Sequence, residues 1–220
     1  MHAFLFLAVP ATVLWYIFSD RKRSPVSYII PVTAGIFSAT AYTIIIKFIV
    51  TLNEKITDSP AAYIAMLNTR YNLLPVLIIC LAYFFISRDS LDFRAKSFVP
   101  LALSFEEICC SYFVIGNQEK GSFFLLICLP ALIASSYLGA GALLEKAAST
   151  FTNNSKDIAR TAAFSIAAVI LISLVSVVQA LWFFNKAAGV YTIFTILLFA
   201  AGILTAVLLR EKNPDKSPEL

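Results

Sequence analysis

Apolar residues run along this chain in seven stretches of about helix length, separated by short polar breaks. With a window of about 19 residues, they fall at 3–18, 26–50, 65–86, 98–115, 123–144, 162–184 and 190–209. Each approaches the length of about 20 residues with which an α-helix crosses the hydrocarbon of a bilayer. The pattern predicts an all-α fold, a polytopic membrane bundle of seven transmembrane helices. The first stretch is the shortest and the fourth is interrupted by Glu106-Glu107.

The breaks are too short for a separate soluble domain. GNQEKG (116–121) and NKAAG (185–189) barely turn the chain, and the longest is EKAASTFTNNSKDIAR (145–160). One helical domain is therefore expected over residues 1–210, followed by a charged, Pro-bearing tail over 211–220. Any function must lie within the bundle, at its mouths, or on a face turned to another subunit.

Composition agrees with this picture and excludes others. Of 220 residues, 60% are hydrophobic and 14% charged, whereas soluble domains carry about 25% charged residues. The expected solvent is a lipid bilayer. The formal net charge of +4 would suggest nucleic acid in a soluble protein, but here the basic residues are scattered singly and in threes between apolar runs, and no nucleic-acid partner is expected. The order of the first run also argues against a cleaved signal peptide, because Arg21-Lys22-Arg23 follows the apolar stretch instead of preceding it.

The positions of Lys and Arg give an orientation. Twelve fall on one side of the predicted helices and only Lys55, Lys120 and Lys186 on the other. The excess of positive charge marks the cytoplasmic side, so the N-terminus is expected outside and the C-terminus in the cytoplasm. The single N-x-S/T match, at 153–155, is cytoplasmic in this topology. The implied location is the cell membrane, the inner membrane if the host is bacterial.

Candidate chemistry centres on Glu106 and Glu107. An acidic residue at the middle of a membrane helix costs about 2.5–3.5 kcal/mol on an insertion scale and usually faces the bundle interior. Neighbours on a helix point about 100° apart, so the two cannot share a face. Ser104 and Ser111 form a polar stripe with Glu107, which is therefore expected to point inward, while Glu106 among Ala102, Leu103, Cys109 and Cys110 is assigned to a helix–helix contact. A carboxylate removed from water without a cation favours its neutral form, which suits a proton relay. Arg70, with Asn72 beside it near the outer end of the third helix, is the candidate partner of Glu107. Ser173, Ser176 and Gln179 on the sixth helix and Thr192 and Thr195 on the seventh extend the polar set. The substrate- or ion-binding candidates are thus Glu107, Arg70, Asn72, Gln179 and Glu106.

Other residues carry less. Lys47 fits snorkelling to the outer headgroups. Pro10, Pro31, Pro75, Pro100 and Pro130 predict kinks whose freed carbonyls are satisfied by Ser or Thr neighbours or line a cavity. The small-residue run AAG at 200–202 permits close helix approach. The four cysteines lie in apolar runs, the one histidine is His2, and no CxxC occurs. Neither a metal site nor a cofactor is expected.

The seven-helix plan, the stretch RYNLLPVL in the third helix and ALWFFNKAAG at the end of the sixth resemble the microbial rhodopsins. That resemblance implies the scaffold without its chromophore, since VYTIFTILLFAAGILTAVLL lacks the lysine that holds retinal. Pro10 in AVPATVLW and Pro130 in CLPALIASSYL are similar in placement to hinges of the SWEET-type sugar transporters, although the last two helices lack proline. Glu106-Glu107 with Tyr137 is similar to the acidic motif of lysoplasmalogenase-like hydrolases, but the histidine of the next helix is missing.

Three function classes follow. The leading expectation is transport of a small polar solute or ion, with Glu107 gaining and losing a proton. The alternatives are a non-catalytic subunit or sensor in a homo-oligomer or larger membrane complex, and a membrane-embedded lipid-modifying enzyme with the two glutamates as acid and base. Absence of an internal histidine or a Ser/His pair counts against the enzyme.

Overall fold

The structure is a computed structural model that describes residues 26–46, 59–86, 98–116, 123–153, 157–184 and 188–209. The predicted first span, Lys47 and the tail lie outside them. The described residues form six helices and no strand. They are α1 (Val26–Ile45), α2 (60–86), α3 (Phe98–Gly116), α4 (124–153), α5 (Ile158–Phe183) and α6 (Ala188–Leu209). Five of them, all but α3, are identified as long and apolar enough to cross a membrane. The protein is a membrane protein by that measure.

Helix α4 is the hub. It packs against α3, α5 and α6, while α1 lies on α3 and α2. Of α4's membrane-length window 72% is buried, against 17% for α6, so α4 is surrounded by protein and α6 is peripheral. Outward faces carry Phe37, Phe84, Phe85 and Leu208, each more than 70% exposed. Lipid tails are as apolar as these side chains, so close packing, not withdrawal from water, must hold the helices together.

Small residues supply that packing. A Cβ on Gly202 of α6 would lie 2.6 Å from the Ser135 carbonyl carbon of α4, and one on Gly139 would lie 2.7 Å from the Gly202 carbonyl oxygen. The run at 200–202 thus meets α4 backbone to backbone. At Gly35 of α1, an added Cβ would come within 2.7 Å of the Leu101 carbonyl oxygen of α3. Ser and Thr hydroxyls on these helices largely bond to their own preceding turn, as Thr43 does to the Ala39 carbonyl at 2.8 Å and Thr205 to Ala201 at 2.7 Å.

Two helix boundaries differ from the sequence reading. Helix α2 begins at Pro60, after an extended Ser59, rather than at residue 65; proline's fixed φ suits the first turn, and the apolar window missed the weakly apolar start. The expected 145–160 break is mostly helix, because α4 runs on to Asn153 and α5 starts at Ile158. Glu, Lys and Ala are good helix formers, so polarity there marks emergence from the apolar layer, not a loop. Glu145 has a structural task in this extension: its Oε1 accepts from the Val99 N–H at 3.0 Å, capping the first turn of α3.

Two helices contain five-residue π-helical turns, Thr69–Leu73 in α2 and Phe124–Cys128 in α4. Each is followed directly by Leu-Pro. The Leu74 N–H reaches back five residues to the Thr69 carbonyl, and the Leu129 N–H likewise to Phe124. Proline next in line has no N–H to continue either ladder. The wide turn and the proline together release backbone acceptors inside the bundle.

Candidate functional site

The α2 turn shows where the released acceptors go. Pro75 cannot donate to the carbonyl four residues back, that of Tyr71, nor in a π register to that of Arg70. Two tyrosines from other helices supply the missing donors: the Tyr42 hydroxyl of α1 donates to the Arg70 carbonyl, and the Tyr137 hydroxyl of α4 donates to the Tyr71 carbonyl at 3.3 Å. In a bilayer, where water cannot serve, unsatisfied carbonyls cost several kcal/mol each. Sequence reading anticipated the freed carbonyls but not that tyrosine hydroxyls one and two helices away would serve them.

The next residue in the turn, Asn72, is buried and donates through Nδ2 to the Ser176 hydroxyl of α5 and to Asn68 Oδ1 at 3.3 Å. Gln179, one turn beyond Ser176, is also buried. The expected Ser176–Gln179 face of this helix is therefore turned inward, with Ser173 half-buried above it. By contrast Thr192 is exposed, and Thr195 bonds to the Tyr191 carbonyl of its own helix at 2.7 Å. Those two threonines do not join the polar centre.

Of the glutamate doublet, Glu106 and not Glu107 is the more enclosed. Glu106 is 3% exposed, whereas Glu107 is half-buried. The face was misjudged for two reasons. Residues 101–106 are buried all round the helix, so a polar stripe does not mark the only inward side there. The serines of that stripe also satisfy themselves locally: Ser104 donates to the Leu101 carbonyl at 3.1 Å and Ser111 to the Glu107 carbonyl at 2.6 Å. Their spacing reported back-bonding, not a cavity.

Contacts on either side of Glu106 show what it faces. Val99, two turns before it, meets Gly141 of α4, and Cys110, one turn after, packs on Ile133 of the same helix. Cys109, on the next flank, brings Sγ within 4.0 Å of Thr43 Oγ1 on α1. Glu106 thus looks toward α4, beside the α1 contact, and the α3–α4 register puts it level with Ser136 and Tyr137. The Cys110 thiol lies beside its carboxyl, and Oε1 is buried with no hydrogen-bond partner. Ser136 Oγ, 0% exposed, is likewise without one.

Arg70 is not paired with Glu107. Its turn is tied to α1 through Tyr42, and the charge acts there, on the Tyr42 hydroxyl. Glu106 has Glu107, Cys109, Cys110 and Tyr137 as neighbours, none of them a cation. Of the five candidates from sequence, Glu106, Asn72 and Gln179 are buried, Arg70 contributes its backbone, and Glu107 lies on a more open flank. Tyr42, Tyr137 and Ser136 complete the layer. The Pro75 kink was the signal that could have pointed to a hydroxyl donor, but nothing in the sequence selects which one. Among the described residues no group of three or more His, Cys, Asp or Glu could hold a metal ion. Compared with known protein families, with characterised proteins and with solved structures, the chain matches none.

Proposed function

We propose that this chain is a seven-span protein of the cell membrane, N-terminus outside, that moves a small polar solute or ion and couples the movement to protonation of Glu106. Orientation rests on the lopsided distribution of Lys and Arg. The observation that carries the transport reading is a carboxyl buried in the bundle with one oxygen unpartnered, beside a helix whose backbone is opened by a π-turn and proline. Such ionisable groups and broken helices mark ion and substrate paths in membrane bundles. Glu106 replaces Glu107 as the central residue of this proposal.

Depth favours this reading over lipid-headgroup chemistry. Glu106 lies eight residues from the start of α3 and ten from its end, about 12 and 15 Å from the two helix ends at 1.5 Å per residue. A headgroup would not reach it without leaving the interface.

The test is solute and ion uptake by proteoliposomes under an imposed pH gradient. Glu106→Gln, which keeps shape and removes the titrating oxygen, is expected to abolish gradient-driven uptake. Glu107→Gln is expected to retain it. Uptake by the Glu106 variant equal to the native protein's would overturn the proposal.

A further inference from the structure

We propose that Glu106 and the opened turn of α2 form a binding site for a small, hard monovalent cation of the sodium class. The inference rests on the reading of Glu106 as the coupling carboxyl and names the ion that would exchange with its proton. Two observations and one general property of opened membrane helices support it. Glu106 Oε1 is buried and has no hydrogen-bond partner, so an acceptor with its lone pairs unused sits inside the protein. Tyr137, whose hydroxyl holds the Tyr71 carbonyl, stands level with Glu106 in the α3–α4 register set by Val99 against Gly141 and Cys110 against Ile133. The carboxyl and the opened turn therefore share one tyrosine. Carbonyls at an opened membrane helix are a recognised source of ligands for sodium and for protons, and each has a second lone pair after accepting one hydroxyl.

Charge and donor type narrow the occupant. The groups around the carboxyl are Glu107, Cys109 and Cys110 on its own helix and Tyr137 on α4; Tyr42 of α1 lies next beyond, beside Tyr137 and Cys109, and the charge of Arg70 on α2 acts there. With Glu107 on the more open flank, the one fully buried carboxyl, together with the hydroxyls and carbonyls near it, matches a single positive charge and hard oxygen ligation. Calcium takes about 6–8 oxygens, commonly from several carboxylates. Thiol-loving metals would need both cysteines to converge, but Cys109 and Cys110 are adjacent and point about 100° apart.

The experiment measures binding by the full-length protein in detergent, at constant ionic strength with choline as the replacing cation. Radioactive sodium is expected to bind at one equivalent per chain, with lowered pH competing it away. Sodium is also expected to raise the thermal unfolding midpoint saturably, where choline does not. Glu106→Gln should abolish both effects and Glu107→Gln neither. Tyr137→Phe tests the turn without touching the carboxyl, and should weaken sodium binding by about tenfold, as loss of a shared polar contact of roughly 1.4 kcal/mol does. Equal midpoints in sodium and choline for the folded native protein, with no bound sodium, would overturn the site. So would full sodium binding by a folded Glu106→Gln protein. Proton-driven uptake without sodium binding would sink this inference and leave the transport reading standing; sodium binding with unimpaired uptake by Glu106→Gln would do the reverse.

Discussion

Gly202→Ala is the sharpest test of how this bundle holds together. The added Cβ would lie 2.6 Å from the Ser135 carbonyl carbon and 3.1 Å from the Ser136 nitrogen, both backbone atoms of α4. Unstrained carbon contacts lie near 3.5–4.0 Å, so the two helices must separate by about 1 Å. A gap of that size forfeits roughly a quarter to a half of each facing dispersion contact, and no rotamer change can relieve a clash between backbones. Overpacking of this kind costs about 1–3 kcal/mol, offset by up to about 1 kcal/mol because alanine is the better helix former. With the full helix gain subtracted, the expected net result is a loss of about 0–2 kcal/mol, and a loss of about 1–3 kcal/mol relative to a control that shares the helix gain. Gly189, on the same helix with nothing within 4 Å of its added Cβ, provides the control: Gly189→Ala should be neutral or stabilise by up to about 1 kcal/mol. The assay is unfolding in mixed micelles, titrated with a denaturing detergent and followed by circular dichroism. If Gly202→Ala is as stable as Gly189→Ala, the α4–α6 contact is not backbone-close and the packing account fails.

Other outcomes follow from single contacts. Tyr137→Phe leaves the Tyr71 carbonyl without its hydroxyl donor and should cost about 1–3 kcal/mol; in a Pro75→Ala background, where residue 75 regains an N–H, the same change should cost clearly less, and a double-mutant cycle in the micelle assay measures the difference. Glu145→Ala removes the acceptor for the Val99 N–H and should destabilise by about 1 kcal/mol, the usual size of a lost helix cap, while Glu145→Gln should restore much of it. Orientation is checked by labelling: in a cysteine-free background, Gln118→Cys should react with an impermeant maleimide from outside the cell and Ser155→Cys only after permeabilisation, and the opposite pattern would reverse the topology.

The helices were legible because a long apolar run in this solvent leaves the backbone one way to satisfy its own N–H and C=O groups. Gly202 was legible too, since a side chain of one hydrogen can matter only where something comes close. The site was harder to read. Asn72 and Gln179 were identified as inward-facing, as polar residues within apolar runs usually are. Glu107 was chosen over Glu106 by its serine neighbours, yet those serines bond to the preceding turn of their own helix. Hydroxyl spacing in a membrane helix is therefore a poor guide to where its interior side lies.

Sequence alone determined that this chain makes apolar helices, roughly where each begins and ends, that Pro75 must release backbone acceptors, and that two carboxyls sit within one of the helices. Each of these depends on residues near one another in the chain. Which carboxyl is enclosed, and which hydroxyls answer the released carbonyls, depended on the arrangement of α1, α2 and α4 around α3. A helix places neighbouring side chains at fixed angles to each other, but only its packed neighbours decide which angle points inward.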